Sequence, residues 1–188
     1  MTAFELMHQR RTVRKFTQEP VTREQLLTCV EAARVAPSSA NLQPLAYKLV
    51  CTPEDCAALF PLLAWAGYLA PNGTPAEGER PTAYIVVVHN EKHRLKGAEY
   101  DAGAALMSMI LAAQEMGLGT CWIASVNAAA AEKLYAFPAD RHVLAVLALG
   151  HPAQKAVEEP MRDGNVRYWL DEQGVLHVPK RDMKDILL

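Results

Sequence analysis

Three classes of protein are disfavoured by what this 188-residue sequence lacks. Its formal net charge is −2, whereas proteins that bind nucleic acids need an excess of cations to displace the counterions of the phosphates. The longest strongly apolar run, Val143 to Leu149, is too short to cross a bilayer. The N-terminal stretch MTAFELMHQRR has no apolar core of a secretory signal. We therefore expect a cytoplasmic protein that binds neither nucleic acid nor membranes.

Several familiar chemistries also lack their motifs. The four cysteines form no CxxC pair, so we expect reduced thiols rather than a disulfide scaffold. There is no GxGxxG loop, no GxxxxGK[ST] loop, no HExxH and no GxSxG. Of the six histidines only His89 and His93 have helical spacing, and they fall where a strand ends. We therefore predict no metal site.

What the sequence does contain is an uneven mixture of helical and strand patterns, in a length that suits a single domain, residues 1–188. The predicted helices are Ala3–Gln9, one that begins at the capping-box pair Thr22 and Gln25, one after Thr52-Pro53, Glu99–Met116, and one capped by Asn127. The predicted strands are Leu45–Cys51, Tyr84–His89, Thr120–Val126 and Val143–Leu149, then a hairpin of Val166–Leu170 and Val175–Val178. The predicted loops are Pro37–Pro44 and Pro71–Pro81. Because strands and helices do not alternate evenly, we predict an α+β fold rather than a doubly wound sheet.

The predicted helix Glu99–Met116 is the most informative element. From Ala102 to Ala113 its only polar residue is Ser108, whereas a surface helix has a polar face. This helix must therefore be covered on all sides, either in the centre of the domain or against a partner subunit. Gly117 can end it in the left-handed conformation.

Three segments could carry chemistry, and each also has a plain structural interpretation. Arg10, Arg11, Thr12 and Arg14 offer guanidiniums and a hydroxyl that suit a phosphate, or they form a solvated basic helix end. The segment PSSANLQP could hold a polar ligand or could simply be a turn. Lys180 and Arg181 could bind an anion or be exposed charges.

The thiols and tryptophans likewise have both a functional and a structural interpretation. Cys121 lies in an apolar strand without a neighbouring base, so we interpret it as a buried structural thiol. Trp65, Trp122 and Trp169 are interpreted as core residues rather than cofactor stackers.

The order and spacing of these segments resemble the nitroreductase family. RRTVRKF near residue 10 and APSSANLQP near residue 40 resemble its N-terminal signature. DAGAALMSMILAAQEMGLGTCWIASV (101–126) looks like its buried central helix and the strand that follows. LALGHPAQ (147–154) and HVPKRDMKDIL (177–187) look like its C-terminal half. GERPTAYIVVV (78–88) and RYWLDEQGVLHVPKR fit a compact branch of the family. The resemblance covers almost the whole chain.

The resemblance implies an α+β sandwich, with a central mixed β-sheet flanked by helices, that forms a homodimer and binds FMN at the subunit interface. It implies that Arg10 and Thr12 hold the FMN phosphate with Arg11 beside them, and that Arg14 contacts the N1/O2 edge of the flavin as the catalytic residue. The loop residues that would reach the flavin from the other subunit are Pro37, Ser38, Ser39, Asn41 and Gln43. The strand residues that would present backbone to the flavin are Ile123, Ala124 and Ser125. Lys180 and Arg181 would complete the phosphate site.

The activity implied is reduction of electron-poor acceptors, such as nitroaromatics or quinones, by NAD(P)H in a ping-pong mechanism. Two alternatives stay open: a flavin-binding or flavin-storage protein, and another flavin reaction on the same fold, namely reductive dehalogenation or flavin breakdown. The sequence departs from the family pattern in two places. Ala124 stands where many members have glycine, and the middle of the chain lacks the longer helical insertion that covers the substrate pocket of larger members.

Overall fold

The central feature of the computed structural model, which describes residues 2–70, 72–93 and 96–188, is a four-stranded sheet. Its strands are β1 (Leu45–Val50), β2 (Ala83–Asn90), β3 (Gly119–Ile123) and β4 (Arg141–Gly150), in the order β1-β2-β4-β3. Every residue of β2 is buried, as the apolar run Tyr84–His89 predicts. The predicted position of each strand is confirmed to within a few residues.

Helices cover both faces of this sheet. The helices are α1 (Ala3–Gln9), α2 (Arg23–Arg34), α3 (Pro53–Leu59), α4 (Ala98–Glu115) and α5 (Ala128–Leu134). Helices α2 and α4 pack with Ile85 and Val87 on one face of β2. Helices α3 and α5 pack with Tyr84 and Val86 on the other, because successive side chains of a strand point to opposite faces. The predicted α+β sandwich is confirmed.

The pairing pattern corrects one detail of the prediction. All pairs between the four central strands are antiparallel. The only parallel contact described for this sheet is an isolated bridge between Thr12 and Thr120, at the edge strand β3. Regular mixed pairing belongs instead to a second sheet, made of β5 (Ala156–Pro160), β6 (Trp169–Leu170) and β7 (Leu176–Lys180). This small sheet contains the predicted hairpin, although β6 is shorter than expected because only two of its residues pair with β7.

Helix ends follow the local sequence. Thr22 and Gln25 form the predicted reciprocal capping box, and Thr52 and Asn127 accept hydrogen bonds from the first turns of α3 and α5. Each such cap stabilises its helix by about 1 kcal/mol. Gly117 has a φ of 75° directly after α4, as predicted.

Helix α4 is covered on one side only within the single chain. Its fully buried residues face the sheet and α2. The remaining apolar face is only partly buried, and it consists of Gly103, Ala104, Met107, Ser108, Leu111 and Ala112. The single chain therefore does not cover α4 on all sides, and coverage by a partner subunit stays a prediction.

Within residues 2–70, 72–93 and 96–188 no helix combines the length and apolarity needed to cross a membrane. The first residue of the predicted loop at 71–81, Pro71, lies outside the described residues.

Candidate functional site

The segment from Arg10 to Arg14 is attached to the edge of the central sheet. It leaves α1 in extended conformation, and the amide of Val13 donates a hydrogen bond of 2.9 Å to the carbonyl of Thr120 in β3. A Cβ atom at Gly119 would lie only 3.0 Å from the Val13 Cβ, so glycine allows this close approach. The attachment fixes the Arg14 backbone beside the end of β3.

At the other side of the site, the chain leaves the central sheet after Ile123, the last residue of β3. The carbonyl of Ser125 accepts a 2.8 Å hydrogen bond from the amide of Ala64, and Val126 forms an isolated bridge with Leu63. The predicted strand therefore stops at Ile123 instead of Val126, because Ser125 and Val126 contact the segment after α3 rather than β4.

A cavity of about 280 Å³ lies between the segment that carries Arg14 and the residues that follow β3. The residues that line it are Arg14, Ala64, Trp65, Ala66, Gly67, Cys121, Trp122, Ile123, Ala124, Ser125 and Tyr168. Four residues predicted for the site, Arg14 and the run from Ile123 to Ser125, are thus brought together although more than 100 positions separate them in the sequence.

Arg14 brings a positive charge into this cavity. Its guanidinium lies 4.6 Å from the centroid of the Tyr168 ring, a cation–π contact, and its amide donates a 3.2 Å hydrogen bond to Gln154. Within the described part of the chain, no carboxylate forms an ion pair with it. The guanidinium is therefore in contact with an aromatic ring, and no described carboxylate neutralises its charge.

Cys121 lies beside Arg14 at the back of the cavity. Burial raises the pKa of this thiol to about 11, and the Coulombic attraction and hydrogen bond of Arg14 oppose the rise. The thiol therefore stays protonated at neutral pH, which agrees with its interpretation as a buried structural thiol.

Arg10 and Arg11 are adjacent in sequence but have different surroundings. The Arg11 guanidinium forms an ion pair with Glu158 of β5 and donates a 2.6 Å hydrogen bond to the Arg10 carbonyl. Arg10 is half-buried, and its Nε has no partner among the described residues. Burial, with the charge of Arg11, lowers the pKa of Arg10. Arg11 is thus engaged with Glu158, whereas Arg10 is the cation that lacks an anion.

The PSSANLQP loop lies apart from this cavity within one chain. It contains a 3₁₀ turn, Ser39–Asn41, whose Ser39 amide donates a 2.9 Å hydrogen bond to Asp101 of α4. Ala40, Asn41 and Gln43 all have positive φ angles, of 49°, 55° and 48°. Such a run of left-handed non-glycine residues costs about 1–3 kcal/mol at each strained position and is concentrated at functional sites.

This loop lines a different cavity, of about 260 Å³, together with residues of α2 and α4. The predicted residues that line it are Pro37, Ser38 and Gln43. None of the loop residues borders the cavity of Arg14.

Comparison with known proteins decides the family. The profile described as "Nitroreductase family" matches residues 7–151, which is most of the chain and includes the Arg10–Arg14 segment, the PSSANLQP loop and the end of β3. The chain belongs to the nitroreductase family. Its resemblance in motif order is thereby confirmed.

Two curated relatives of this nitroreductase-family chain are flavin enzymes by name. The FMN reductase [NAD(P)H] of Bacillus subtilis is 30% identical over 165 residues, which are 80% of this chain and 66% of that protein. The NADPH-flavin oxidoreductase of Vibrio harveyi is 30% identical over 172 residues, 83% of this chain and 68% of that protein. The chain thus spans about two thirds of the length of each.

Solved structures of related proteins have a fold similar to that of this chain. A protein from Desulfovibrio desulfuricans classed as a nitroreductase and solved in complex with FMN superposes with a TM-score of 0.72 at 25% identity, covering 100% of this chain and 96% of that one. The NADPH:FMN oxidoreductase of Vibrio harveyi, complexed with NAD+, gives a TM-score of 0.68 at 27% identity, covering 87% and 74%.

The C-terminal basic pair of this nitroreductase-family chain is exposed. Lys180 ends β7, and its carbonyl accepts a 2.7 Å hydrogen bond from Met161. The neighbouring strand β5 carries Glu158, the partner of Arg11, so the small sheet connects the two ends of the chain. Among the described residues neither Lys180 nor Arg181 has an ion pair, and their place in a phosphate site stays a prediction.

Sequence reasoning missed some of the cavity residues. Tyr168 supports Arg14, yet nothing in its local pattern distinguishes it from other residues of the hairpin. Trp65 is buried as predicted, but it also lines the cavity. The core interpretation is wrong for Trp122 and Trp169, which are each 45% exposed in the single chain. Trp122 lies near Gly103 on the uncovered face of α4.

Proposed function

We propose that this chain is an FMN-dependent oxidoreductase, in one domain of residues 1–188, which uses NAD(P)H to reduce small electron-poor acceptors such as nitroaromatics or quinones. The observation that carries the proposal is the cavity where Arg14, without a described carboxylate partner, faces the run from Ile123 to Ser125. Support comes from relatives named FMN reductase and NADPH-flavin oxidoreductase, and from a structural neighbour in complex with FMN.

The donor set of the site fits FMN. A phosphate needs hydrogen-bond donors and positive charge, and the unpartnered Nε of half-buried Arg10, with the hydroxyl of Thr12 nearby in sequence, offers both. The aromatic ring system needs a flat, partly apolar wall, and the cavity has aromatic and apolar linings in Trp65 and Ile123. Lys180 and Arg181 would add charge at the phosphate end.

When bound, FMN would supply the redox chemistry between NAD(P)H and the acceptor, and we expect ping-pong kinetics. The chain supplies electrostatics and position. Arg14 places a positive charge at the cavity, and such a charge would stabilise negative charge more strongly once bound ligands exclude water. The cavity lining contains no carboxylate and no histidine, and the buried Cys121 is a poor acid because its pKa is raised to about 11. We therefore expect solvent to supply the protons.

We also propose that the active form is a homodimer with about one FMN per subunit. The uncovered face of α4 is apolar, and a monomer would expose it. The strained PSSANLQP loop, which is separate from the Arg14 cavity in one chain, would reach that cavity from the partner. Sedimentation should give a dimer, and a stable, flavin-loaded monomer near 20.7 kDa would contradict this part of the proposal.

An absorbance spectrum under anaerobic conditions tests the function. The purified chain, mixed with FMN and separated from excess, should retain flavin absorbance, lose it when NADPH or NADH is added, and regain it when a quinone or nitroaromatic is added. Retention of FMN without bleaching would favour flavin storage. Loss of flavin that the acceptor does not restore would favour flavin breakdown, and a colourless protein would refute FMN binding.

A further inference from the structure

A third cavity lies between α3 and the beginning of β2, and nothing in the proposed function uses it. Its volume is about 440 Å³, within the range of about 300–1,000 Å³ that is typical of small-molecule sites. It shares no lining residue with the cavity of Arg14. Its walls are mainly apolar, from Pro20, Pro53, Ala57, Phe60 and Pro81.

Two residues that line this cavity each carry a buried hydrogen-bond donor without a partner among the described residues. The hydroxyl of Tyr84 is buried without an acceptor on a side chain that is 0% exposed. Burial raises the pKa of Tyr84, so the hydroxyl stays protonated and can donate. The Nε of half-buried Arg80 is likewise buried without an acceptor. Buried donors are almost always satisfied in native proteins, and an acceptor bound at this cavity would satisfy these two.

Arg80 is held in place although its charge is not neutralised. Its guanidinium lies 4.2 Å from the centroid of the Phe60 ring, and its carbonyl accepts a 3.2 Å hydrogen bond from Gln18. In the part of the chain that the structure describes, no carboxylate forms an ion pair with it. Tyr84 is equally fixed, because its backbone belongs to β2 and pairs with Ala148 of β4. The two donors are therefore positioned in advance of any ligand.

We propose that this cavity binds a small molecule with a flat apolar ring and a carboxylate. A carboxylate accepts hydrogen bonds from a guanidinium and from a phenol, and it neutralises the charge of Arg80. An aromatic ring matches the apolar walls of the cavity. Glu77 also lines the cavity, but it is exposed, so its repulsion of an anion is screened by water and salt.

The site is independent of flavin binding, although the two cavities are connected through an aromatic pair. Phe60 lies 5.6 Å from Trp65, ring centroid to centroid, and Trp65 lines the cavity of Arg14. A ligand that packs against Phe60 should therefore change the fluorescence of Trp65 without occupying its cavity. This gives a readout that needs no enzymatic activity.

The test is a calorimetric titration of the purified chain, with and without added FMN, using 2-naphthoate and its neutral counterpart 2-naphthamide. We expect saturable binding of 2-naphthoate in both preparations. Arg80→Gln should weaken 2-naphthoate at least about tenfold and 2-naphthamide far less, because only the carboxylate gains from the charge. Tyr84→Phe should weaken both ligands roughly two- to tenfold. Arg162→Gln, which changes an exposed arginine with no described side-chain contact, should change neither.

A blocking variant keeps the proposal testable if Arg80→Gln does not fold. Ala57 is an exposed residue of α3 that lines the cavity, so Ala57→Phe should fill the space and abolish binding of both ligands. The proposal is overturned if 2-naphthoate shows no saturable binding to the unmodified chain. It is also overturned if binding survives both Arg80→Gln and Ala57→Phe, or if FMN competes with 2-naphthoate, which would place the ligand in the cavity of Arg14.

Discussion

The central sheet and the small C-terminal sheet are held together by different forces. The central sheet is buried between two layers of helices, and the packing of apolar side chains stabilises it. The small sheet has few buried residues, and two polar contacts join this region to the rest of the chain: Arg11 with Glu158, and Arg14 with Tyr168, the residue before β6. Within the small sheet, His177 contacts the carboxylates of Glu159 and Asp171. The cavity of Arg14 is lined mainly by residues at and after β3, with Tyr168 contributed from the side of the small sheet. The proposed flavin site thus depends on both packing and charge.

The largest effect should follow from removing packing in the central sheet. Leu147 of β4 is 0% exposed and pairs with Ile85 and Trp122 on the two neighbouring strands. Leu147→Ala should lower the free energy of unfolding by about 2–5 kcal/mol, through lost transfer energy and a residual cavity. Denaturant titration measures this. Leu27→Ala, at a position that is 47% exposed, is the control and should cost much less.

A smaller but specific effect should follow at the proposed phosphate end. Arg10→Ala removes the unpaired cation of the site, so FMN affinity should fall by roughly one to two decades while the fold is retained. Fluorescence titration with FMN measures the dissociation constant. Arg23→Ala, at an exposed arginine of α2, is the control. If Arg10→Ala binds FMN as tightly as the unmodified chain, Arg10 does not hold the phosphate.

The ion pair between Arg11 and Glu158, which joins the small sheet to the rest of the chain, should contribute less to the free energy of unfolding. Glu158→Gln removes the partner of Arg11, and because the carboxylate is 45% exposed the cost should be roughly 0.5–1 kcal/mol or less. Hydrogen exchange should nevertheless speed up in β5 and β7 while β2 and β4 stay protected. Uniform loosening of both sheets would contradict the distinction between them.

The smallest effect should be a pH dependence confined to the small sheet. The hydrogen bond to Asp171, with Glu159 on the other ring nitrogen, raises the pKa of His177 above 6.5, and the same contact lowers the pKa of Asp171 below 3.8. A raised histidine pKa stabilises the fold below pH 6.5, and this contribution is lost as pH rises through the raised value. A lowered aspartate pKa stabilises it above pH 3.8, and that contribution is lost as pH falls through the lowered value. Together these shifts place the strongest interaction between pH 3.8 and 6.5.

Hydrogen exchange of the β6 and β7 amides, corrected for intrinsic rates, should therefore accelerate between pH 6 and pH 9. His177→Gln should remove this dependence, while His151→Gln should leave it in place. An unchanged profile in the His177 variant would show that another group is responsible.

The same contrast explains what the sequence could predict. Burial on both faces left a local signal in Tyr84–His89, and helix capping left another in Thr22 and Gln25, so both were correctly located. The partnership of Arg11 with Glu158 joins residues 147 positions apart, and such pairs leave no local pattern. The exposure of Trp122 could not be predicted because it depends on a face of α4 that the single chain does not cover.

The most direct test of the account is the reduction potential of bound FMN in the unmodified chain and in Arg14→Ala, both fully loaded. Arg14 brings the only cationic side chain to the described lining of its cavity, so its loss should lower the potential and slow reduction by NADPH even at saturating FMN. Arg14→Lys should retain much of the effect, because a point charge serves where no fork geometry is needed. If Arg14→Ala keeps the potential and the reduction rate of the unmodified chain, the proposed role of Arg14 is wrong.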